Sequence, residues 1–149
     1  RGSLRLGRLR RHPLAEELAL CRRYLAVERA RFGERLAVEE RVEAECLGVA
    51  VPPMLLQPLV ENAVKHGVAA MVEGGVVRLL ARLDGARLRM VVENPVEEDA
   101  PVTRGTGFGL DGVRRRLRAE YAGEGSLRVE TNPGWFRVEV AIPVEGSDD

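Results

Sequence analysis

At 149 residues, with 45% apolar and 31% charged side chains, the chain is long enough to bury one core without disulfides or a structural metal, and its composition is that of an ordinary soluble α/β domain. Its 23 basic and 23 acidic side chains cancel, which removes any general attraction to nucleic acid or an anionic membrane. No apolar run nears the roughly 18 residues needed to cross a bilayer, no secretory leader is recognisable, and Cys21 and Cys46 lack metal-type spacing, so both are expected as buried free thiols of a reducing compartment.

Residues 1–12 are arginine-rich without an apolar period and read as a basic lead or linker, or a remnant foreign to the domain. The domain is expected over 13–144. Pro13 suits a first helical turn, and Leu14, Leu18, Cys21, Leu25 and Phe32 recur at helical spacings. They predict one amphipathic helix to about Arg31, stopped by Gly33. Leu36, Val38, Val42 and Ala44 lie at even spacings interrupted by Glu40, the pattern of an edge strand. Pro52-Pro53 opens a second helix, Met54–His66, closed by Gly67. Val76–Leu83 and Ala86–Asn94 flank Asp84-Gly85, a type I′ hairpin signal. Residues 95–106, with two prolines and four charges, predict a long mobile loop. A third helix runs from about Phe108 to Tyr121, followed by Gly123 and Gly125. Leu127–Thr131 and Trp135–Ile142 form a last hairpin around Asn132-Pro133-Gly134, and a tail at 145–149 is expected to be disordered. Helices interspersed with antiparallel hairpins, without a Rossmann-type succession of crossovers, predict an α/β (α+β) two-layer sandwich. Its sheet is mixed and mostly antiparallel, with the helices on one face.

Two short runs carry chemistry. Helix Met54–His66 has a wide apolar arc (Leu55, Leu56, Leu59, Val60, Ala63, Val64) with Asn62 at its edge. An interior helical asparagine costs about 0.5–0.7 kcal/mol relative to alanine, so it is either a surface residue or is there for its amide. A neutral amide oxygen suits Mg²⁺, whose other positions go to water and phosphate. Lys65, the only lysine in the chain, would bring positive charge to those phosphates. The second run, Gly105-Thr106-Gly107-Phe108-Gly109-Leu110, opens the third helix after the long loop. Its glycines allow close backbone approach, and a helix N-terminus offers free N–H groups to phosphate. Loop and helix start together read as an anion site beneath a movable lid.

The run Pro52-Pro53-Met54-Leu55-Leu56-Gln57-Pro58-Leu59-Val60-Glu61-Asn62-Ala63-Val64-Lys65-His66-Gly67 resembles the N box of LytS-type sensor histidine kinases, and Gly105–Leu110 resembles their second glycine box. The upstream stretch, with Leu14, Glu17, Leu18, Tyr24, Leu25, Glu28, Arg31 and Phe32, is similar to the segment preceding the N box. Together these cover roughly residues 13–144. The resemblance implies the Bergerat ATP-binding fold of the GHKL superfamily, with ATP and Mg²⁺ as cofactors. It implies Asn62 as the Mg²⁺ ligand, Lys65 against the phosphates, His66 lining the nucleotide site, and Glu61 polarising the acceptor or a bound water. Gly105, Thr106, Gly107, Gly109 and Leu110 would surround the phosphates at the end of the lid. The implied partners are an upstream dimerisation helix bearing the phosphoacceptor histidine, a response regulator, and a second copy of the parent protein. The implied place is a cytoplasmic domain of a parent that is membrane-anchored in some members.

Two positions depart from the family pattern. Its first glycine box usually carries Asp-x-Gly-x-Gly, whose aspartate accepts a hydrogen bond from the adenine amino group. Here the strand ends Val91-Val92-Glu93-Asn94-Pro95. Alternation with Leu88, Met90 and Val92 puts Asn94 rather than Glu93 on the pocket side, where an amide oxygen can accept the same bond without charge. Gly134-Trp135 stands where relatives often have Gly-Thr, so the sole tryptophan is expected to pack at the site. His12, followed by proline, does not fit the acceptor. Arg114 lies within reach of phosphate, but its arginine cluster reads first as a solvated helix face. The alternatives are a degenerate nucleotide-binding regulatory module, or another GHKL ATPase or serine kinase.

Overall fold

The computed structural model describes residues 11–98 and 109–144. The apolar spacing of the first segment stacks Leu14, Leu18, Cys21 and Leu25 on one side of helix α1 (Leu14–Phe32), where all four are buried. Pro13 stands just outside, as an extended cap residue with ψ 148°, and Gly33 closes the helix. A two-residue strand, β1 (His12–Pro13), pairs antiparallel with β3 (Ala50–Val51).

The main sheet has five strands: β2 (Leu36–Val42), β4 (Gly75–Asp84), β5 (Arg87–Pro95), β6 (Ser126–Asn132) and β7 (Trp135–Pro143). Their order is β2-β4-β5-β7-β6. β2 is the edge strand expected from its broken alternation, and it runs parallel to β4; the other three pairings are antiparallel. A parallel pair needs a long crossover, and helix α2 (Gln57–His66) lies within it. The sheet thus contains one strand–helix–strand unit that the hairpin signals did not announce. Ala44, expected as the strand's last in-facing residue, instead starts a 3₁₀ turn, Ala44–Cys46, that buries Cys46.

Period-two alternation places the core. Val77, Leu79 and Ala81 of β4, Leu88, Met90 and Val92 of β5, and Phe136, Val138, Val140 and Ile142 of β7 are all buried on one face. Each of the large ones contributes roughly 1.5–3 kcal/mol through burial. Helices α1, α2 and α3 (Leu110–Tyr121) supply the other half of that core through Leu14, Leu18, Leu59, Val60, Leu110 and Leu117. The opposite face meets solvent and is charged. Glu39, Arg78, Glu93, Arg137 and Glu130 are register partners across all five strands. Arg78 Nε lies 2.9 Å from Glu39, and the remaining contacts along the row span 3.5–4.0 Å. Alternating charge lets strands pair side by side without exposing an apolar sheet.

Both hairpin turns hold two residues. Asp84 pairs with Arg87, so Gly85-Ala86 makes the first turn, one position later than the Asp84-Gly85 signal. Gly85 has φ +63° while Ala86 lacks positive φ, the sign pattern of type II′ rather than I′. Asn132 pairs with Trp135 around Pro133-Gly134. Helix α3 begins after Gly109 and ends at Ala122, a non-glycine residue in left-handed conformation. The lead through residue 10, the Phe108 helix start, the tail at 145–149 and most of the predicted mobile loop (99–106) lie outside the described residues. No helix among the described residues is long and apolar enough to cross a membrane. Cys21 and Cys46 are buried and unpaired with each other. Burial, with the Glu17 carboxylate nearby, pushes the Cys21 thiol up to about 12.

Candidate functional site

The site residues hang on α2, and proline chemistry sets where that helix starts. Pro58 is its second residue. In a helix running from Met54, as the apolar arc suggested, the Pro58 ring would strike the carbonyl of Met54, four residues back. The chain avoids this with a turn over residues 53–56, in which Met54 has φ +63°, and enters the helix at Gln57. Leu55 and Leu56 stay buried in the turn.

The first N–H groups of α2 receive no cap from their own chain neighbour. Glu17, on the first turn of α1, meets the first of them and two N–H groups of the turn that precedes the helix. Its Oε2 accepts the Leu56 N–H at 3.0 Å and the Gln57 N–H at 3.2 Å, and its Oε1 accepts the Met54 N–H at 2.9 Å. Nε2 of His12 contacts the same Oε1 at 2.8 Å. Nδ1 of His12 stands 3.3 Å from Glu16. Glu17 is completely buried.

Further along α2, Asn62 is 4% exposed, and its Oδ1 has no hydrogen-bond partner among the described residues. An orphaned buried acceptor costs about 1–3 kcal/mol, and an amide oxygen left open is the donor type Mg²⁺ takes. Among the described residues no group of three His, Cys, Asp or Glu side chains could hold a metal by itself. A cation at Asn62 would therefore depend on phosphate and water for its other ligands. Lys65 and His66 follow on the last turn of α2, both exposed. Glu61 is half-buried, its Oε2 accepting from Gln57 Nε2 at 3.1 Å. Its charge reaches α1, where it helps burial and Glu28 push Tyr24 up to about 12.

Asn94 lies on the helix-facing side of β5, buried to 4%, and Glu93 lies on the charged face, as the alternation predicted. The Asn94 side chain is pressed against Gly67, the residue that closes α2. A Cβ on Gly67 would collide with Asn94 Nδ2 and stand 2.5 Å from the Ala63 carbonyl. Only glycine permits this approach. The contact locks the end of β5 to the end of α2, so Asn62, Lys65, His66 and Asn94 belong to one region. Nδ2 of Asn94 donates to the Pro95 carbonyl at 2.9 Å.

Helix α3 packs against α2. Gly109 (φ +86°) precedes it and Leu110, at its first position, is buried in the shared core. Gly105, Thr106 and Gly107 lie outside the described residues. Arg114, on the second turn of α3, has a buried Nε without a hydrogen-bond partner among the described residues, which sets it apart from the solvated face its cluster suggested. Trp135 shares a hollow with Asn94. Its neighbour Phe136 enters the core, while Trp135 pairs with Pro95 on the charged side of the sheet. There Trp135 lines the hollow, of about 460 Å³, with Val76, Arg78, Asn94 and Pro95 among others. Sheet alternation, fixed by the Pro133-Gly134 turn, sends it to that side.

No model of a known protein family matches the chain. Over 131 residues, 87% of this chain, it is 34% identical to the sensor histidine kinase BtsS of Escherichia coli K12. Over 146 residues, 89% of this chain, it is 33% identical to the sensor protein LytS of Enterococcus faecalis. The chain spans about a quarter of the length of these relatives, 23% and 25% respectively. Among solved structures, the catalytic domain of histidine kinase ThkA matches with a TM-score of 0.65 at 20% identity, covering 90% of this chain and 94% of that one. The Acinetobacter baumannii histidine kinase AdeS matches at 0.69 and 12% identity, covering 91% and 67%. The helix-backed mixed sheet is thus the fold of histidine kinase catalytic domains, and over most of its length the chain is a homologue of the sensor histidine kinases.

Proposed function

We propose that this chain binds Mg–ATP beside α2 and presents the γ-phosphate to a histidine on a dimerisation helix upstream of the domain, making it the phosphotransferase module of a two-component sensor kinase. The observation that carries the reading is the buried amide oxygen of Asn62, without a hydrogen-bond partner among the described residues. In this reading Asn62 holds the metal, Lys65 meets the phosphates, and His66 lines the nucleotide. Asn94 accepts the adenine amino group, and Gly105, Thr106, Gly107, Gly109 and Leu110 supply backbone N–H groups to the phosphates. Magnesium, when bound, supplies charge neutralisation between phosphate oxygens. The protein's own contribution is orientation and exclusion of water, because phosphoryl transfer asks little covalent work of the enzyme. Glu61 polarises the acceptor or a bound water. Its part-exposed carboxylate lies beside α1, so an acceptor that uses it approaches along that helix.

The phosphoryl group would pass on to an aspartate of a response regulator, in the cytoplasm, from a parent that works as a dimer and is membrane-anchored. A regulatory module without kinase activity is not favoured, because the relatives are sensor kinases over most of this chain. Calorimetric titration with ATP tests the reading. Magnesium-dependent binding is expected, with at least tenfold loss in Asn62→Ala and Lys65→Ala, an amount set by one lost charge-assisted contact. Unchanged affinity in both variants would sink it. With labelled ATP the chain by itself is expected to stay unlabelled. An acid-labile, base-stable label on it would overturn the assignment of the acceptor to a separate helix.

A further inference from the structure

We infer that Glu17 is a positioning residue for the nucleotide site: its carboxylate, delivered from α1, fixes the start of α2 and thereby the placement of Asn62 and Lys65. The inference rests on the Mg–ATP reading of that site. Three observations carry it. First, Glu17 is completely buried, and a carboxylate is carried into a core only where its lone pairs are met. Second, its partners are the N–H groups of Met54 and Leu56, in the turn that leads into α2, and of Gln57, its first residue, at 2.9–3.2 Å; the last is a donor that a helix start leaves open. A negative charge there also meets the positive end of the helix dipole. Third, the turn it grips contains Met54 at φ +63°, a conformation that costs a non-glycine residue roughly 1–2 kcal/mol and that persists because the surroundings hold it.

The lever arm is short. Asn62 follows Gln57 by five residues and Lys65 by eight, roughly 7.5 and 12 Å along the axis of a stiff helix. A tilt or slip at the start therefore reaches the metal ligand nearly undiminished. The grip also ties the site to the chain entering the domain. His12 holds Glu17 Oε1, and β1 is laddered to β3. The residue before it, Arg11, reaches Glu120 at 3.3 Å and lies over the Tyr121 ring at the far end of α3. Residues 11–17 thus touch both α2 and α3.

The test compares Glu17→Gln with Leu88→Ala, a core truncation six residues, roughly 20 Å, from Asn94 along β5. Mg–ATP affinity is measured by calorimetry, and backbone amide shifts are followed by NMR. Glu17→Gln keeps the shape but turns an amide NH₂ toward backbone donors. Affinity is expected to fall about tenfold, with shift changes reaching Asn62 and Lys65. Leu88→Ala, at an equal or larger loss of melting temperature, is expected to stay within about twofold. Equal affinity in Glu17→Gln and the parent, with Asn62→Ala non-binding, overturns the positioning role and leaves the site reading intact. A matching loss in Leu88→Ala also overturns it. A parent chain that binds no Mg–ATP overturns both. Should Glu17→Gln fail to fold, Glu17→Asp keeps the charge but withdraws it by one methylene. About a threefold loss is then expected, and unchanged affinity overturns the role.

Discussion

The start and the middle of α2 each hold a buried polar group, and the two are opposite in how they are satisfied. At the start, Glu17 meets three backbone N–H groups and one imidazole within 3.2 Å. In the middle, Asn62 is about as deeply buried, yet its Oδ1 meets nothing among the described residues. A buried polar group that is satisfied stabilises the fold; one that is left open costs stability and waits for something from outside. The contrast separates a residue that holds the helix start from one whose amide oxygen stays open to a ligand, without reference to any relative. It also predicts opposite signs for two superficially similar truncations.

The largest expected effect is at the satisfied end. Glu17→Ala removes a buried anion and strands three backbone donors, so urea denaturation should show a loss of about 3 kcal/mol or more. A loss below about 1 kcal/mol would mean that water replaces the carboxylate, and the contrast would dissolve. Next comes the seam between α2 and β5. Gly67→Ala drives a methyl into the Asn94 amide and toward the Ala63 carbonyl. About 2–3 kcal/mol should be lost, by the overpacking that forces backbone to move. Because Asn94 must yield, a lowered ATP affinity should accompany it. Stability lost with affinity intact would detach Asn94 from the nucleotide.

Much of this was legible in the sequence, for identifiable reasons. The three helices, the two hairpins and the edge position of β2 follow from periodicity and turn residues, which are local. The side of β5 that Asn94 occupies is legible for the same reason, whereas Asn62 and Lys65 stand out by residue type and by the resemblance to the N box. The grip of Glu17 was not, since it joins residues 37 to 40 positions apart and a glutamate on a helix reads first as solvated. Its one outward sign was the resemblance of the stretch around it to the segment before the N box. The late start of α2 could have been read, because Pro58 forbids a helix through Met54 by the clash four residues back. The apolar arc, strong over the same residues, outweighed it. Alternation with Phe136 puts Trp135 on the charged side of the sheet, where it shares a hollow with Asn94.

At the open end the expected sign reverses. Asn62→Ala gains helix propensity and removes an orphaned acceptor, so without nucleotide the variant should be more stable by about 1 kcal/mol. With Mg–ATP the order should invert. The parent gains about 2.7 kcal/mol at a hundredfold excess over Kd, and the variant gains little. Paired thermal melts with and without Mg–ATP read both signs at once. A variant less stable than the parent before nucleotide is added would show that Asn62 is satisfied in solution, which would remove the reason for assigning it to the metal.

An effect absent at neutral pH probes the same interface from the α1 side, through Cys21, one turn after Glu17. Its folded thiol is raised to about 12 by burial and by the Glu17 charge, whereas an unfolded cysteine titrates near 8.5. Below the unfolded value both states hold the proton, and the thiol adds no pH dependence. As pH rises beyond it, the unfolded chain releases the proton first, so stability falls by about 1.4 kcal/mol per pH unit until the folded thiol titrates. Tyr24, also raised to about 12, and Cys46, raised by burial, leave a residual slope of the same sign. Cys21→Ala should therefore lower stability at pH 7 by creating a small cavity, yet flatten the decline between pH 9 and 11. The slope is the informative quantity, because the cavity cost is common to every pH. In Glu17→Gln, where burial remains but the adjacent charge is gone, the Cys21 thiol should titrate lower. Native-state alkylation should then begin at a lower pH than in the parent, and identical alkylation profiles would mean that the Glu17 carboxylate does not sit beside Cys21 in solution.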